Sequence, residues 1–410
     1  MYDVYEIRKQ FPMLNGEKKM QGKPFIFLDN SSTTFKPQCV IDAITNYYSN
    51  MTSNSHRGDY DLAYNLDCEV DETRKAVAKF VNCDINEVVF TSGATMSSNI
   101  IAYGYGDKFI KPGDEILIEE TGHASNVLPY YQLAKRTGAV IKYIELDKDG
   151  RITAKNLQKA LNSKTKIVAF AMITNTLGYE IDIKEFAKII HKNGSIFVVD
   201  GAQAVPHTKI DFKDSDIDFL FFSAHKMCGP TGIGCLIGKY SLLDKMDTFL
   251  TGGGMNETFM KVDELIPFNP PRKFEAGTLN LAGIIGMKAA INFITNIGID
   301  NIRKHDIELH RYAVQQLEKC ENVIIYNKNV DTAILLFNIK GVFPQDEATL
   351  FNYKGIAIRS GEHCAKLLGE YIGCKATCRM STYLYTTKEE IDAFVDAIKN
   401  GGDILDAYFN

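Results

Sequence analysis

Val198-Val199-Asp200-Gly201-Ala202-Gln203 and Phe222-Ser223-Ala224-His225-Lys226 decide the fold. Each is an apolar run that stops at polar, chemically able residues. Short apolar runs bounded by turn residues read as buried strands, and five more bracket them: Val88–Thr91, Glu115–Ile118, Val140–Ile144, Ile167–Ile173 and Cys235–Ile237. The two quoted runs give strands Ile196–Val199 and Phe219–Phe222. Helical patterns lie between most of them, as in Ile183–His191, where residues 183, 186, 187, 189 and 190 are apolar. Strands alternating with helices predict an α/β fold with a mostly parallel sheet of seven strands.

In such sheets ligands bind beyond the carboxyl ends of strands. Asp200 and Lys226 are both delivered to that edge. A lysine there can form a Schiff base, and a carboxylate can hold a pyridinium nitrogen, the pair that pyridoxal phosphate requires. A structural ion pair is the alternative reading of these two residues alone. Phe90-Thr91-Ser92-Gly93-Ala94-Thr95 adds a strand, a small-residue turn and a helix start, where backbone N–H groups can hold a phosphate.

The rest of the chain bounds the answer. Its 410 residues suggest about two to three domains. Apolar residues at 45% and charged residues at 24% are globular values, and a net charge of −5 leaves no footprint for nucleic acid or an anionic membrane. No apolar run reaches the ~20 residues of a spanning helix, and the first residues, MYDVYEIRKQF, carry charges where a signal peptide needs an apolar core. A cytoplasmic protein is expected. Nine cysteines without a regular framework read as reduced thiols. Cys374 and Cys378 lack the paired rhythm of structural zinc, so no metal is expected. Residues 251–278 read as a long irregular segment, followed by helices at Leu279–Ile297 and from Ile302 to Lys319 and then a smaller α+β unit. The expected division is an N-terminal segment, 1–20, packing with the small unit, a large cofactor domain, 21–290, and a small C-terminal domain, 291–410.

With Asp200-Gly201-Ala202-Gln203 and Ser223-Ala224-His225-Lys226 on the page, a resemblance becomes specific. This region resembles the cofactor-lysine region of class V pyridoxal-phosphate transferases, of fold type I. Arg359-Ser360-Gly361-Glu362-His363-Cys364-Ala365, with Cys378-Arg379-Met380-Ser381, is similar to the group II, SufS-like cysteine desulfurases. The resemblance runs from Phe27-Leu28-Asp29 to the last helix. It implies Lys226 as the cofactor lysine, Asp200 on the pyridinium nitrogen, Gln203 on the phenolic oxygen and His123 on the ring face. It implies Ala94, Thr95, Ser223 and His225 at the phosphate, with Thr278 supplied by the other subunit of a homodimer. It implies Asn175 and Arg379 on the substrate carboxylate and Cys364 as the sulfur-accepting nucleophile. His56-Arg57-Gly58 also matches a family motif.

The implied reaction converts L-cysteine to L-alanine with an enzyme persulfide, for iron–sulfur cluster assembly, through an acceptor of the SufE or SufU type. Selenocysteine lyase activity, another class V aminotransferase or lyase reaction, and a non-catalytic scaffold are the alternatives. This chain departs from the pattern at Met96, at Ala124, at Glu362 and at Leu28-Asp29-Asn30-Ser31-Ser32, which replaces a more alanine-rich stretch.

Overall fold

The computed structural model describes residues 2–55, 58–260 and 264–399; His56 and Arg57 lie outside the described residues. The seven expected strands are β1 Val88–Thr91, β2 Glu115–Ile118, β3 Val140–Tyr143, β4 Thr165–Ala171, β5 Ile196–Asp200, β6 Phe219–Ser223 and β7 Gly234–Gly238. They form one sheet in the order β1-β7-β6-β5-β4-β2-β3. The pairs from β6 through β3 are parallel, while β7 runs antiparallel to both β6 and β1. Residues 224–233 are too short a link for a helical crossover, so β7 returns beside β6.

The sheet is buried because alternate side chains feed two cores. Leu220, Phe222, Val199 and Phe170 join one apolar cluster, and Phe219, Phe221, Val198 and Ala169 join another on the opposite face. Helices Asp61–Val81, Ile183–Lys192 and Leu281–Ile297 supply apolar side chains to the first cluster, and Leu128–Thr137 supplies Tyr130 and Leu133 to the second. Helix Ile183–Lys192 shows why the pattern works. Asp182 caps its start by accepting from Glu185 N at 3.0 Å, and Ile183, Phe186, Ala187 and Ile190 form its buried face. The edge strand β3 leaves Val140 and Tyr143 exposed.

A second, antiparallel sheet consists of β8 Val323–Ile325, β9 Ile334–Ile339, β10 Arg359–Gly361 and β11 Thr377–Ser381, in the order β8-β9-β11-β10. Helices Ile299–Leu317, Pro344–Tyr353 and Lys388–Lys399 share its core, around Phe337, Phe351 and Phe394. Between the two sheets, helix Leu281–Ile297 ends at Gly298 (φ 89°) and the chain turns by 73° into helix Ile299–Leu317. Among the described residues no single helix is long and apolar enough to cross a membrane.

The N-terminal residues touch both units. Arg8 pairs with Glu390 at 3.0 Å, and the Phe11 ring meets Phe293 and Tyr385 edge-on. Ile26–Phe27 pairs in parallel with Ile356–Ala357. One expectation differs. The segment 251–278, read as irregular, contains an antiparallel hairpin, Asn256–Phe259 against Leu265–Pro267. Its residues are mostly exposed, so they carry no in-and-out hydrophobic alternation to betray strands.

Candidate active site

The carboxyl ends of β4, β5 and β6 open into a cavity that the second sheet closes from the far side. Its walls include Asp200, Gln203, Lys226, His123, Asn175 and Arg379, with Ala94, Thr95, Ser223 and His225 at one end. Ten of the twelve residues singled out in the sequence therefore share one cavity.

Asp200 is the last residue of β5, and its Oδ1 accepts from Ala202 N at 2.9 Å. Burial raises its pKa, against the pull of that N–H group and of Lys226. Burial lowers Lys226 to about 8; Asp200 opposes this, while Arg379 and Arg359 add to it. An amine so held is available in neutral form near physiological pH. His123 is lowered to about 4 by burial and then by Lys226 and the two arginines. Its Nδ1 accepts from Ser125 N at 3.1 Å, so Nε2 carries the ring proton. Gln203 Nε2 donates to Ser31 O at 2.8 Å, which fixes the amide plane and leaves its second N–H available.

The far end of the cavity is a cup of small groups. Ala94 N donates to Ser223 Oγ at 2.8 Å, and Thr95 Oγ1 bonds Ser125 Oγ at 2.8 Å. Gly93 (φ 145°) packs against the same serine, so a Cβ there would stand 3.0 Å from Ser223 Oγ. Four donors from one segment, Thr33 Oγ1, Thr34 N, Thr34 Oγ1 and Lys36 Nζ, converge on the carbonyl of His225 and hold the backbone ahead of Lys226.

Cys364 lies beside the cavity, next to its lining residue Arg359. Cys364 is exposed, and Arg359 Nη2 donates to its Sγ at 3.5 Å. Asn175 Nδ2 donates to His363 O and Ala124 N to Cys364 O, each at 2.7 Å, so the large sheet grips the cysteine loop by two carbonyls. His363 is buried, bonds Thr377 Oγ1 at 2.9 Å and is pushed down to about 3 by burial and the neighbouring arginines. Arg379 is 1% exposed; Nη1 donates to Asn175 O at 2.8 Å and Nη2 to Asp29 Oδ1 at 3.2 Å.

Thr278 is the residue that this arrangement leaves apart. It is exposed, 3.4 Å from Asn54 Oδ1, and lines a different cleft with Phe90 and Glu275. Sequence reasoning passed over Ser31, Ser32, Ser125 and Ile173, which also line the cavity. It also passed over Glu119, buried behind β4, with Oε1 accepting from Ala171 N and its pKa raised to about 7 by burial. Glu119 directly follows the apolar strand β2, so the logic that found Asp200 applies to it as well.

These residues fit pyridoxal 5'-phosphate. Asn175 Oδ1, Ser31 Oγ and Arg379 Nε are buried without a hydrogen-bond partner, and all three residues face the cavity. Buried polar atoms are rarely left so. A polar guest answers them, its anionic oxygens accepting from Arg379 Nε and Ser31 Oγ and a donor on it reaching Asn175 Oδ1, with a buried carboxylate for a ring nitrogen and an amine for an aldehyde.

The comparisons agree. The class-V aminotransferase family model matches residues 26–394. A probable cysteine desulfurase of Halalkalibacterium halodurans is 41% identical over 398 residues, covering 97% of each chain. Two solved structures cover 98% of each chain: the cysteine desulfurase CsdA of Escherichia coli (32% identity, TM-score 0.91) and the apo cysteine desulfurase of Thermococcus onnurineus NA1 (33%, 0.92). The chain belongs to the class-V aminotransferase family and has cysteine desulfurases among its homologues.

Proposed function

We propose that the protein is a pyridoxal-phosphate-dependent cysteine desulfurase in which Cys364 receives the sulfur. The observation that carries this reading is the Arg359–Cys364 contact, beside a cavity that holds Lys226, Asp200 and Arg379. Bound through Lys226, the cofactor supplies an electron sink for bonds at the substrate's α-carbon. Asp200 would hold the ring nitrogen protonated and Gln203 would bond the phenolic oxygen. Ser223, Thr95, His225 and the Ala94 amide would take the phosphate. Arg379, with Asn175, would bind the substrate's α-carboxylate, to which a guanidinium is matched in charge and shape. His123, neutral because burial lowers it to about 4, and Lys226, lowered to about 8, can take up and return a proton beside the α-carbon.

The sulfur step balances without an external oxidant. L-cysteine and the Cys364 thiol become L-alanine and a Cys364 persulfide: the substrate C–S bond breaks, an S–S bond forms, and the α-amino acid skeleton keeps the hydrogen. A thiolate is the competent nucleophile, and Arg359 Nη2 donates to Cys364 Sγ at 3.5 Å. The finer reading is of a SufS-like, group II enzyme: a cytoplasmic homodimer in which Thr278 serves the partner's phosphate site. It hands sulfur to a SufE- or SufU-type acceptor for iron–sulfur cluster assembly. The exposed Phe259 and Met260 at the end of the hairpin strand, with Leu265 and Ile266 opposite, support a second copy packing there.

The test is to incubate the purified holoenzyme with L-cysteine and a reductant, and to measure alanine and sulfide together. Equal yields that vanish in Cys364→Ala are expected. Yields unchanged in that variant would remove Cys364 from the mechanism, and a keto acid product in place of alanine would point to an aminotransferase.

A further inference from the structure

Ser32 sits where the two arginines of the site meet. Its Oγ donates to Asp29 Oδ1 at 2.7 Å and accepts from Arg359 Nη1 at 3.1 Å and Arg379 Nη2 at 2.9 Å. One O–H and two lone pairs are thereby fully used. The need for it lies in the second sheet. Strands β10 and β11 pair Arg359 directly opposite Arg379. Like charges in directly opposed positions repel. Asp29 and Ser32 answer that repulsion together: the serine proton goes to the carboxylate, and the oxygen faces both guanidiniums.

The remaining guanidinium atoms point to two different tasks. Arg359 Nη2 reaches Cys364 Sγ, while Arg379 keeps a buried, unpartnered Nε and lines the cavity. Ser32 lies in the stretch that departs from the family's alanine-rich pattern, and an alanine could make none of these three hydrogen bonds. We propose that Ser32 is a positioning residue that couples the substrate-carboxylate guanidinium of Arg379 to the thiol-facing guanidinium of Arg359. The proposal rests on the desulfurase reading for the role of Arg379. Without the hydroxyl, Arg379 loses one of its three hydrogen bonds and with it alignment towards the substrate carboxylate, and Arg359 loses its bond to Ser32 and with it the restraint that keeps Nη2 beside Cys364.

The experiment compares wild type, Ser32→Ala, Arg359→Ala and the double variant as holoenzymes. It reads the visible cofactor band, KM and kcat for L-cysteine, and the pH profile of iodoacetamide alkylation at Cys364, located by peptide mass. In Ser32→Ala the band stays. KM rises about tenfold, kcat changes less than about threefold, and alkylation at neutral pH slows about threefold. In the Arg359→Ala background, Ser32→Ala no longer alters alkylation. KM and an alkylation profile unchanged in Ser32→Ala overturn the proposal. So does an equal effect of Ser32→Ala with and without Arg359, and so does loss of the cofactor band, which marks a general structural role. If wild type yields no alanine, the desulfurase reading fails by itself, and the alkylation profiles still decide whether Ser32 acts on Cys364 through Arg359.

Discussion

His363 and Cys364 follow one another in left-handed backbone, at φ 51° and 59°. Side chains other than glycine avoid this region at a cost of roughly 1–2 kcal/mol per residue. The loop keeps it because both carbonyls are gripped from the large sheet, by Asn175 Nδ2 and Ala124 N. Asn175→Ala removes one grip and leaves the His363 carbonyl unpaired. The expected loss is about 1–3 kcal/mol in denaturant unfolding. Faster hydrogen exchange confined to residues 361–365 would place the effect in this loop; uniform exchange would not.

The buried Arg74–Glu275 pair ties the helix Asp61–Val81 to β1. Two parallel bonds of 2.8 and 2.9 Å join the side chains, and Glu275 Oε1 also accepts from Phe90 N in β1. Both side chains are at most 7% exposed. Glu275→Gln strands a buried cation, so a destabilisation of about 3–5 kcal/mol is expected. Arg74→Met with Glu275→Leu removes both charges and should recover most of it; thermal unfolding of wild type and the two variants checks this.

Among the described residues buried His310 has no hydrogen-bond partner at either ring nitrogen. Burial lowers its pKa from 6.5 to about 4. Between these values the unfolded chain binds more protons than the folded one, so this group makes stability fall as pH falls through that window. Above pH 6.5 its charge penalty is absent. His310→Leu should flatten the acid side of the stability curve by about one proton's slope. Urea titrations at several pH values read the difference, and steady-state activity is expected to stay unchanged.

Lys226 works in the opposite pH range in the cofactor-free protein. Its pKa falls from 10.5 to about 8, so the folded state disfavours its charge. The penalty is complete below about pH 8 and is relieved as pH rises towards 10.5. Lys226→Met should therefore stabilise the apoprotein at neutral pH, by about 1–3 kcal/mol, and by nothing near the upper end. Thermal melts of both apoproteins across that range decide it.

What the sequence discloses follows from how local the signal is. The seven strands are legible because most are apolar runs buried on both faces, with turn residues at their ends. Asp200 and Lys226 stand out because each closes such a run at the ligand edge. The antiparallel direction of β7 is not legible, since periodicity carries no direction, and neither is the exposed hairpin. Ser32 shows the other limit. Its partners Arg359 and Arg379 lie 327 and 347 residues away, so no window of sequence contains the contact. Thr278 is named by the resemblance, but the role the resemblance gives it belongs to another chain's cavity.

The bond between Asp29 and Arg379 joins residues 350 apart in the chain, and Tyr2 meets Leu384 across 382. During synthesis at about 5–20 residues per second, Asp29 leaves the ribosome on the order of 20–70 s before Arg379 does. The large sheet can close in that interval, for its seven strands all lie before residue 239. The Asp29–Arg379 corner cannot. A nascent or truncated chain that stops short of β11 thus carries the lysine and its carboxylate without the Arg379 guanidinium, and the entry to the cavity is completed only when translation is nearly over.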